Sequence, residues 1–432
     1  MLQQKSTDEK LGFKELLAMG VDGMVGGGIF SVLGLSIGLL GHAAPVAFAL
    51  EGIIALLIGF SYAKLGITFH SDGGSFTYLE HAFKNKNIGG IGGWLLLVGY
   101  IGTLSLYAFT FGAYGTAMFG KSSQTVLIHH LLESLVLLFF LGVNLYGVKA
   151  AGESEDIIIL IKVLILSFFA FVGFFSIHSD RLIPFFNKGE IGLLMGAALI
   201  FVAYEGFELI PNSINEMKNP HKDLSKAIWV SIIVTAVIYI VVTFVAVGNL
   251  TLVEIKKYKE YALAYAAKPF LGQAGFILIG LGALLSTSSA INATFFGTAR
   301  LGMVMAQEDE LPKAFSHKER TKDIPWISLL IICGVSLIFV NTTNLTIISS
   351  FASSTFLLIF AAINLSAIKL RERIRIGLIG PIAGLIGTIS SLIVLYIYLL
   401  RTNFKALLWN GLFYFGIIVA ELVFSKRKVL FK

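Results

Sequence analysis

Apolar stretches of about 20 residues, each enough to cross a bilayer, succeed one another along almost the whole of this chain, and that leaves little choice of fold. Hydrocarbon offers no partners for backbone N–H and C=O groups, so a crossing segment satisfies its own by forming a helix. Such stretches lie near 14–38, 44–68, 88–119, 125–146, 155–178, 190–216, 223–248, 270–300, 325–341, 345–368, 375–400 and 404–425. The expectation is an all-α integral membrane protein with 12 transmembrane helices. With 56% hydrophobic and 14% charged residues and a mean hydropathy of +0.83, the chain is too apolar for an ordinary soluble protein.

Charge placement gives the orientation. Of the 33 Lys and Arg, 23 fall on the side that carries both ends of a twelve-span chain, nine on the other, and Lys162 alone lies inside a span. By the positive-inside rule both termini are expected in the cytoplasm of a multi-pass cell-membrane protein, with no nucleic-acid partner needed to explain the net charge of +7. Met1 to Lys10 is polar, with no cleavable signal pattern, so the first span is expected to remain. The single cysteine, Cys333, excludes intrachain disulfides and multi-cysteine metal sites. No HExxH or other metal spacing involves the eight histidines, and the adjacent His129 and His130 read as interfacial packing.

Two spans are interrupted. The first carries three consecutive glycines, Gly26-Gly27-Gly28, at its middle, and the sixth carries Tyr204-Glu205-Gly206-Phe207-Glu208. Glycine is a poor helix former, so both are places where the helix unwinds. Unwound backbone survives at membrane depth only inside protein or along a cavity, and a pair of interrupted spans is the sequence pointer to a transporter's binding site. Close helix packing through small residues is the competing explanation for the glycines. Five spans separate the two breaks, and an odd repeat unit inverts its second copy across the membrane. The third and eighth spans, the matching members of the two sets, are both unusually long. The expected organisation is a cytoplasmic tail at 1–13, a first five-helix repeat over 14–178, a second, inverted one over 190–368, two appended spans within 369–425, and a tail at 426–432.

Several stretches resemble the amino acid–polyamine–organocation superfamily, in particular its archaeal proton-coupled members. They are Gly26-Gly27-Gly28-Ile29-Phe30; Gly73-Gly74-Ser75-Phe76-Thr77-Tyr78 with Ala82-Phe83; Asn144-Leu145-Tyr146-Gly147-Val148-Lys149; and Gly206-Phe207-Glu208 followed by Glu216-Met217-Lys218-Asn219-Pro220. The match runs from about residue 12 to 310 in that order, with hydropathy alone agreeing beyond. The resemblance implies a LeuT-type fold of ten core helices in a 5+5 inverted repeat, and secondary transport of amino acids or related amines by alternating access.

A helix that stops and resumes presents free carbonyls at one end of the gap and free amides at the other. A substrate carboxylate is expected on the amides around Gly27, Gly28 and Ile29, beside Gly26. The amine is expected near the carbonyls of Ala203 and Tyr204, with Met24 ending the first half-helix. Phe30, Tyr204 and Phe207 are expected to close over the ligand, and the resemblance singles out Phe207 as the gate. Lys162 interrupts a run of isoleucines and leucines, and a charged residue there is usually functional. Snorkelling is the alternative, since Lys162 lies only about 8 Å along the axis from Ile157. In the proton-coupled relatives a lysine at this place stands where sodium-coupled relatives bind sodium, beside carbonyls of the first span and hydroxyls of the eighth, here Ser286, Ser288 and Ser289. The chain departs from that pattern at Asp22, aligned with a glycine, and a carboxylate there is expected to pair with Lys162.

Glu208 belongs to the family's GFE element, whereas Glu205, on the break itself, stands where apolar residues are usual. Together with Asp22 they make the cavity acidic and favour a cationic amino acid or polyamine over an acidic solute. Glu51 and Glu133 read as interhelical hydrogen-bonding or interfacial groups. No cofactor is called for, and no nucleophile–base pair or metal cluster suggests an enzyme. A channel would line a continuous pore instead of breaking two helices around one site. A receptor of the same fold is the remote alternative. The expected partners are a small amino acid or amine, protons and the lipid bilayer.

Overall fold

The computed structural model describes residues 10–71, 73–83, 86–119, 125–147, 152–186, 189–307, 311–319 and 324–424. The N-terminal tail before Lys10, Lys149 and the C-terminal tail lie outside them. Among the described residues the chain is helical throughout, and the only β-type pairing is an isolated parallel bridge between Leu11 and Met217. Among the described residues ten helical stretches are long and apolar enough to cross a membrane, and Trp326–Thr342 is a shorter apolar helix.

The helices follow hydropathy to within a few residues. The first expected span is two helices, α1 (Phe13–Val25) and α2 (Gly28–Leu40), and the second is α3 (Ala44–Phe69). A short α4 (Gly74–Ala82) precedes the long α5 (Lys86–Phe119), then come α6 (Thr125–Tyr146) and α7 (Gly152–Phe174). The sixth expected span begins as α8 (Gly189–Ile200) but continues as two 3₁₀ segments, Phe201–Tyr204 and Phe207–Glu216. Next are α9 (Pro220–Asn249), two short helices α10 (Leu252–Tyr258) and α11 (Ala262–Ala266), and the 40-residue α12 (Lys268–Gln307). The series closes with α13 (Trp326–Thr342), α14 (Leu345–Lys369), the single turn α15 (Arg371–Ile374), α16 (Ile379–Thr402) and α17 (Phe404–Phe424).

Burial separates the helices into an inner and an outer set. α1, α2, the second broken segment and α14 are enclosed, with Ile29, Phe30, Ala203, Tyr204, Phe207 and Phe356 all at 1% exposure or less. Around them α3 packs chiefly on α9, and α5 on α12 and α14. α6, α7, α16 and α17 present Leu127, Phe139, Leu160, Phe171, Ile386 and Phe415 outward, an apolar surface that suits lipid. The packing therefore puts both broken segments at the centre.

Candidate functional site

The first break is confined to one residue. Gly26 keeps helical angles (φ −49°, ψ −47°), Gly27 leaves them (φ −149°, ψ −13°), and α2 begins at Gly28. The three glycines face three different neighbours. A methyl group on Gly26 would lie 2.7 Å from Ala290 Cβ of α12, one on Gly27 would enter the Tyr107 ring of α5, and one on Gly28 would lie 2.7 Å from Ala203 Cα. Unwinding and close packing, the two explanations offered by the sequence, thus both hold here.

The second break falls at Glu205–Gly206. Glu205 is extended (φ −63°, ψ 138°), and Gly206 has φ +130°, a region closed to L side chains. Gly206 abuts the first break, because a methyl group on Gly23 would lie 2.9 Å from Gly206 Cα. The two segments touch backbone to backbone at Gly23–Gly206 and Gly28–Ala203. A ligand held between them has to enter after they part.

Side chains from surrounding helices serve the backbone groups released by unwinding, as burial requires. Ser286 Oγ of α12 donates to Val25 O at 2.7 Å, while Tyr114 of α5 adds a hydrogen bond to Phe30 O, inside the first turn of α2, at 3.1 Å. On α14, Ser353 donates to Leu199 O at 2.8 Å and accepts from Val202 N at 3.1 Å, with Ser349 as a second donor to Leu199 O at 3.1 Å. Of the carbonyls expected to face a substrate amine, that of Ala203 is met here by a protein hydroxyl, which also reaches Met24 O at the end of the first half-helix. The Tyr239 hydroxyl of α9 lies 2.6 Å from Met24 O and 2.9 Å from Ala203 O, so its single proton ties one break or the other. Tyr204 is turned away to donate to Phe48 O at 2.6 Å, its ring 5.4 Å from that of Tyr239.

Asp22 and Lys162 form a direct ion pair between α1 and α7, with side-chain exposures of 8% and 0%. That burial removes snorkelling as an account of Lys162. Beyond this pairing, Lys162 Nζ has no hydrogen-bond partner among the described residues. Ser286 reaches the α1 end as expected, whereas Ser288 and Ser289 are half-buried and make no hydrogen bond to it among the described residues.

Glu205 points to α5, where Thr103 Oγ1 lies 2.8 Å from each carboxylate oxygen. Glu208 folds back so that Gly206 N donates to it at 2.7 Å, with the Tyr100 hydroxyl at 3.5 Å. Phe207 stacks on Phe360 and meets Tyr62 edge-on, while Phe30 meets Tyr114 edge-on. Of the outlying acids, Glu51 makes the expected interhelical contact, accepting from Ser391 of α16 at 3.3 Å. Glu133 instead pairs within its own helix, with His130 at 2.6 Å and His129 at 3.2 Å, which gives the two histidines a specific role beyond packing.

Of the groups around the breaks that were not anticipated, Tyr239, Thr103 and Tyr107 had no distinguishing mark in the sequence. Only the serine-rich run Ser349-Ser350-Phe351-Ala352-Ser353-Ser354-Thr355 offered a readable signal, since polar side chains in a span usually serve other backbone.

Two broken helices meeting at the centre of a polytopic bundle, with a buried ion pair beside them, define a solute transporter. The model of the amino acid permease family matches residues 11–422. An uncharacterized protein of Methanocaldococcus jannaschii is 33% identical over 97% of this chain and 96% of its own. The inner membrane transport protein YbaT of Escherichia coli is 31% identical over 98% of each, and the serine/threonine exchanger SteT of Bacillus subtilis 27% identical over 78% and 77%. The chain belongs to the amino acid permease family, within the amino acid–polyamine–organocation superfamily, and is a multi-pass membrane transporter, not an enzyme.

Proposed function

We propose that this protein is a secondary active transporter that moves amino acids across the cell membrane by alternating access, coupled to protons. The proposed frame is the LeuT-type fold with twelve crossings, both termini cytoplasmic, repeats over 14–178 and 190–368, and two appended helices. The observation that carries the reading is the meeting of the two breaks at Gly23–Gly206 and Gly28–Ala203, next to the Asp22–Lys162 pair. Parting of the breaks exposes the amides of Gly28, Ile29 and Phe30, which no intrahelical carbonyl can serve, to a substrate carboxylate. The ammonium of Lys162 occupies the place of a coupling cation near the end of α1. Its partner Asp22 makes the pair, and not the lysine alone, the unit that gains or loses a proton.

Uptake by proteoliposomes under an imposed pH gradient tests this directly. Uphill accumulation of an amino acid that collapses when the gradient is dissipated is the expected result. Accumulation that survives dissipation removes proton coupling, and absence of flux across a broad panel removes transport.

A further inference from the structure

Among the described residues at the centre, three carboxyl groups face one cation. Asp22 is neutralised by Lys162. Glu205 and Glu208, at 3% and 1% exposure, have no salt-bridge partner among the described residues. Their local support is unequal. Glu208 receives the backbone amide of Gly206 and faces Tyr100. Glu205 has only the Thr103 hydroxyl, whose single proton serves one oxygen at a time and is also within 3.2 Å of Gly99 O. An ionised carboxylate accepts about four hydrogen bonds, so Glu205 has acceptor capacity that the protein leaves unfilled.

A second group points to the same spot. Tyr107, one turn beyond Thr103 on α5, is at 5% exposure and its hydroxyl has no hydrogen-bond partner among the described residues. Its ring covers Gly27 of the first break, and it stands on the same face of α5 as Thr103, which holds Glu205. Glu205, served by one shared hydroxyl, and Tyr107, with no hydrogen bond among the described residues, therefore lie along one face of α5 beside the two breaks.

We infer that Glu205, held by Thr103 and flanked by Tyr107, is the receptor for a positively charged side chain of the transported amino acid. This rests on the transport reading above and extends it to the class of substrate. An ammonium or guanidinium brings one positive charge and several N–H donors, which match both the charge and the vacant acceptor positions of Glu205. A neutral amino acid brings a zwitterion whose two charges are met at the breaks, and leaves Glu205 as it is. An acidic one adds a like charge to a buried carboxylate.

The test compares L-lysine with L-norleucine, its uncharged analogue of similar shape, in counterflow by proteoliposomes carrying wild type, Glu205→Gln or Glu205→Asp. Wild type is expected to favour lysine. Glu205→Gln is expected to lower the lysine-to-norleucine ratio of kcat/KM at least tenfold, because truncating one partner of a buried charge pair has effects of that order or larger. Glu205→Asp is expected to keep a preference for lysine. Stabilisation of the detergent-solubilised protein by lysine, present in wild type and lost in Glu205→Gln, reads the same contact without transport. Wild-type flux of norleucine in preference to lysine overturns the inference while leaving transport intact. So does a ratio unchanged by Glu205→Gln, including the case in which that variant loses only its response to pH. Flux of neither solute, nor of any other in a broad panel, overturns transport itself.

Discussion

Removing Lys162 alone is expected to damage the protein more than removing it together with Asp22. In Lys162→Met the apolar volume is nearly kept, but the Asp22 carboxylate, 8% exposed at the end of α1, loses the cation that faces it. Breaking a buried pair from one side costs about 3–5 kcal/mol, whereas replacing both partners by groups of similar shape is often close to neutral. The double variant Lys162→Met with Asp22→Asn should therefore recover much of the loss, with an interaction energy of about 2 kcal/mol or more in the double-mutant cycle. Unfolding in mixed micelles measures the four corners, and near-neutral stability of the double variant beside a strongly destabilised Lys162→Met is the expected pattern. Additive losses would refute the reasoning, because they would mean that the two side chains contribute separately. The same proteins carry a functional test. Both variants are expected to lose the link between uptake and the pH gradient, and gradient-driven accumulation by the stable double variant would show that the pair does not carry the proton.

Other perturbations probe the breaks. Tyr239→Phe deletes the proton that serves Met24 O and Ala203 O; leaving such a group buried and unpaired costs about 1–3 kcal/mol, and faster opening is expected, read as increased labelling of cysteines placed along the breaks in a Cys333→Ser background. Gly27→Ala pushes a methyl group into the Tyr107 ring, so exchange is expected to fall at least tenfold, with partial recovery when Tyr107→Leu is added; failure of the second change to restore any flux would count against the contact. Ser353→Ala removes a donor to Leu199 O and the acceptor for Val202 N, with a stability loss of about 1–3 kcal/mol, larger than for Ser349→Ala, whose carbonyl keeps Ser353.

Much of this architecture was legible because bilayers impose simple rules. Length and hydropathy located α3, α5, α6 and α14 almost to the residue, since hydrocarbon forces each crossing to satisfy its own backbone. The breaks were legible for the converse reason: three glycines, and Gly206 between two glutamates, have no business in an uninterrupted apolar helix. Asp22 and Lys162 could be paired in advance because the resemblance set Asp22 at the position facing that lysine, and charges inside a membrane need a partner. What stayed hidden was the set of groups that keep the unwound backbone satisfied. Tyr239 on α9 looks like any core aromatic, and only tertiary packing brings its hydroxyl against Met24 and Ala203. Ser288 and Ser289 were expected beside Ser286, but adjacent helical residues project about 100° apart, so one serine of the three reaches Val25. Glu133 was read as an interhelical or interfacial group, yet His130, one turn earlier on the same helix, hydrogen-bonds it there, with His129 close by.

The central claim is that the two breaks, closed on each other here, are the place where substrate is held and passed. Gly206→Ala tests it most directly, because the added methyl group meets Met24 N at 2.6 Å and the φ of +130° is strained for any L residue. Amino acid counterflow should be robust in wild type and nearly abolished in Gly206→Ala protein that still purifies as a folded species. Unaltered counterflow in that variant would contradict the account.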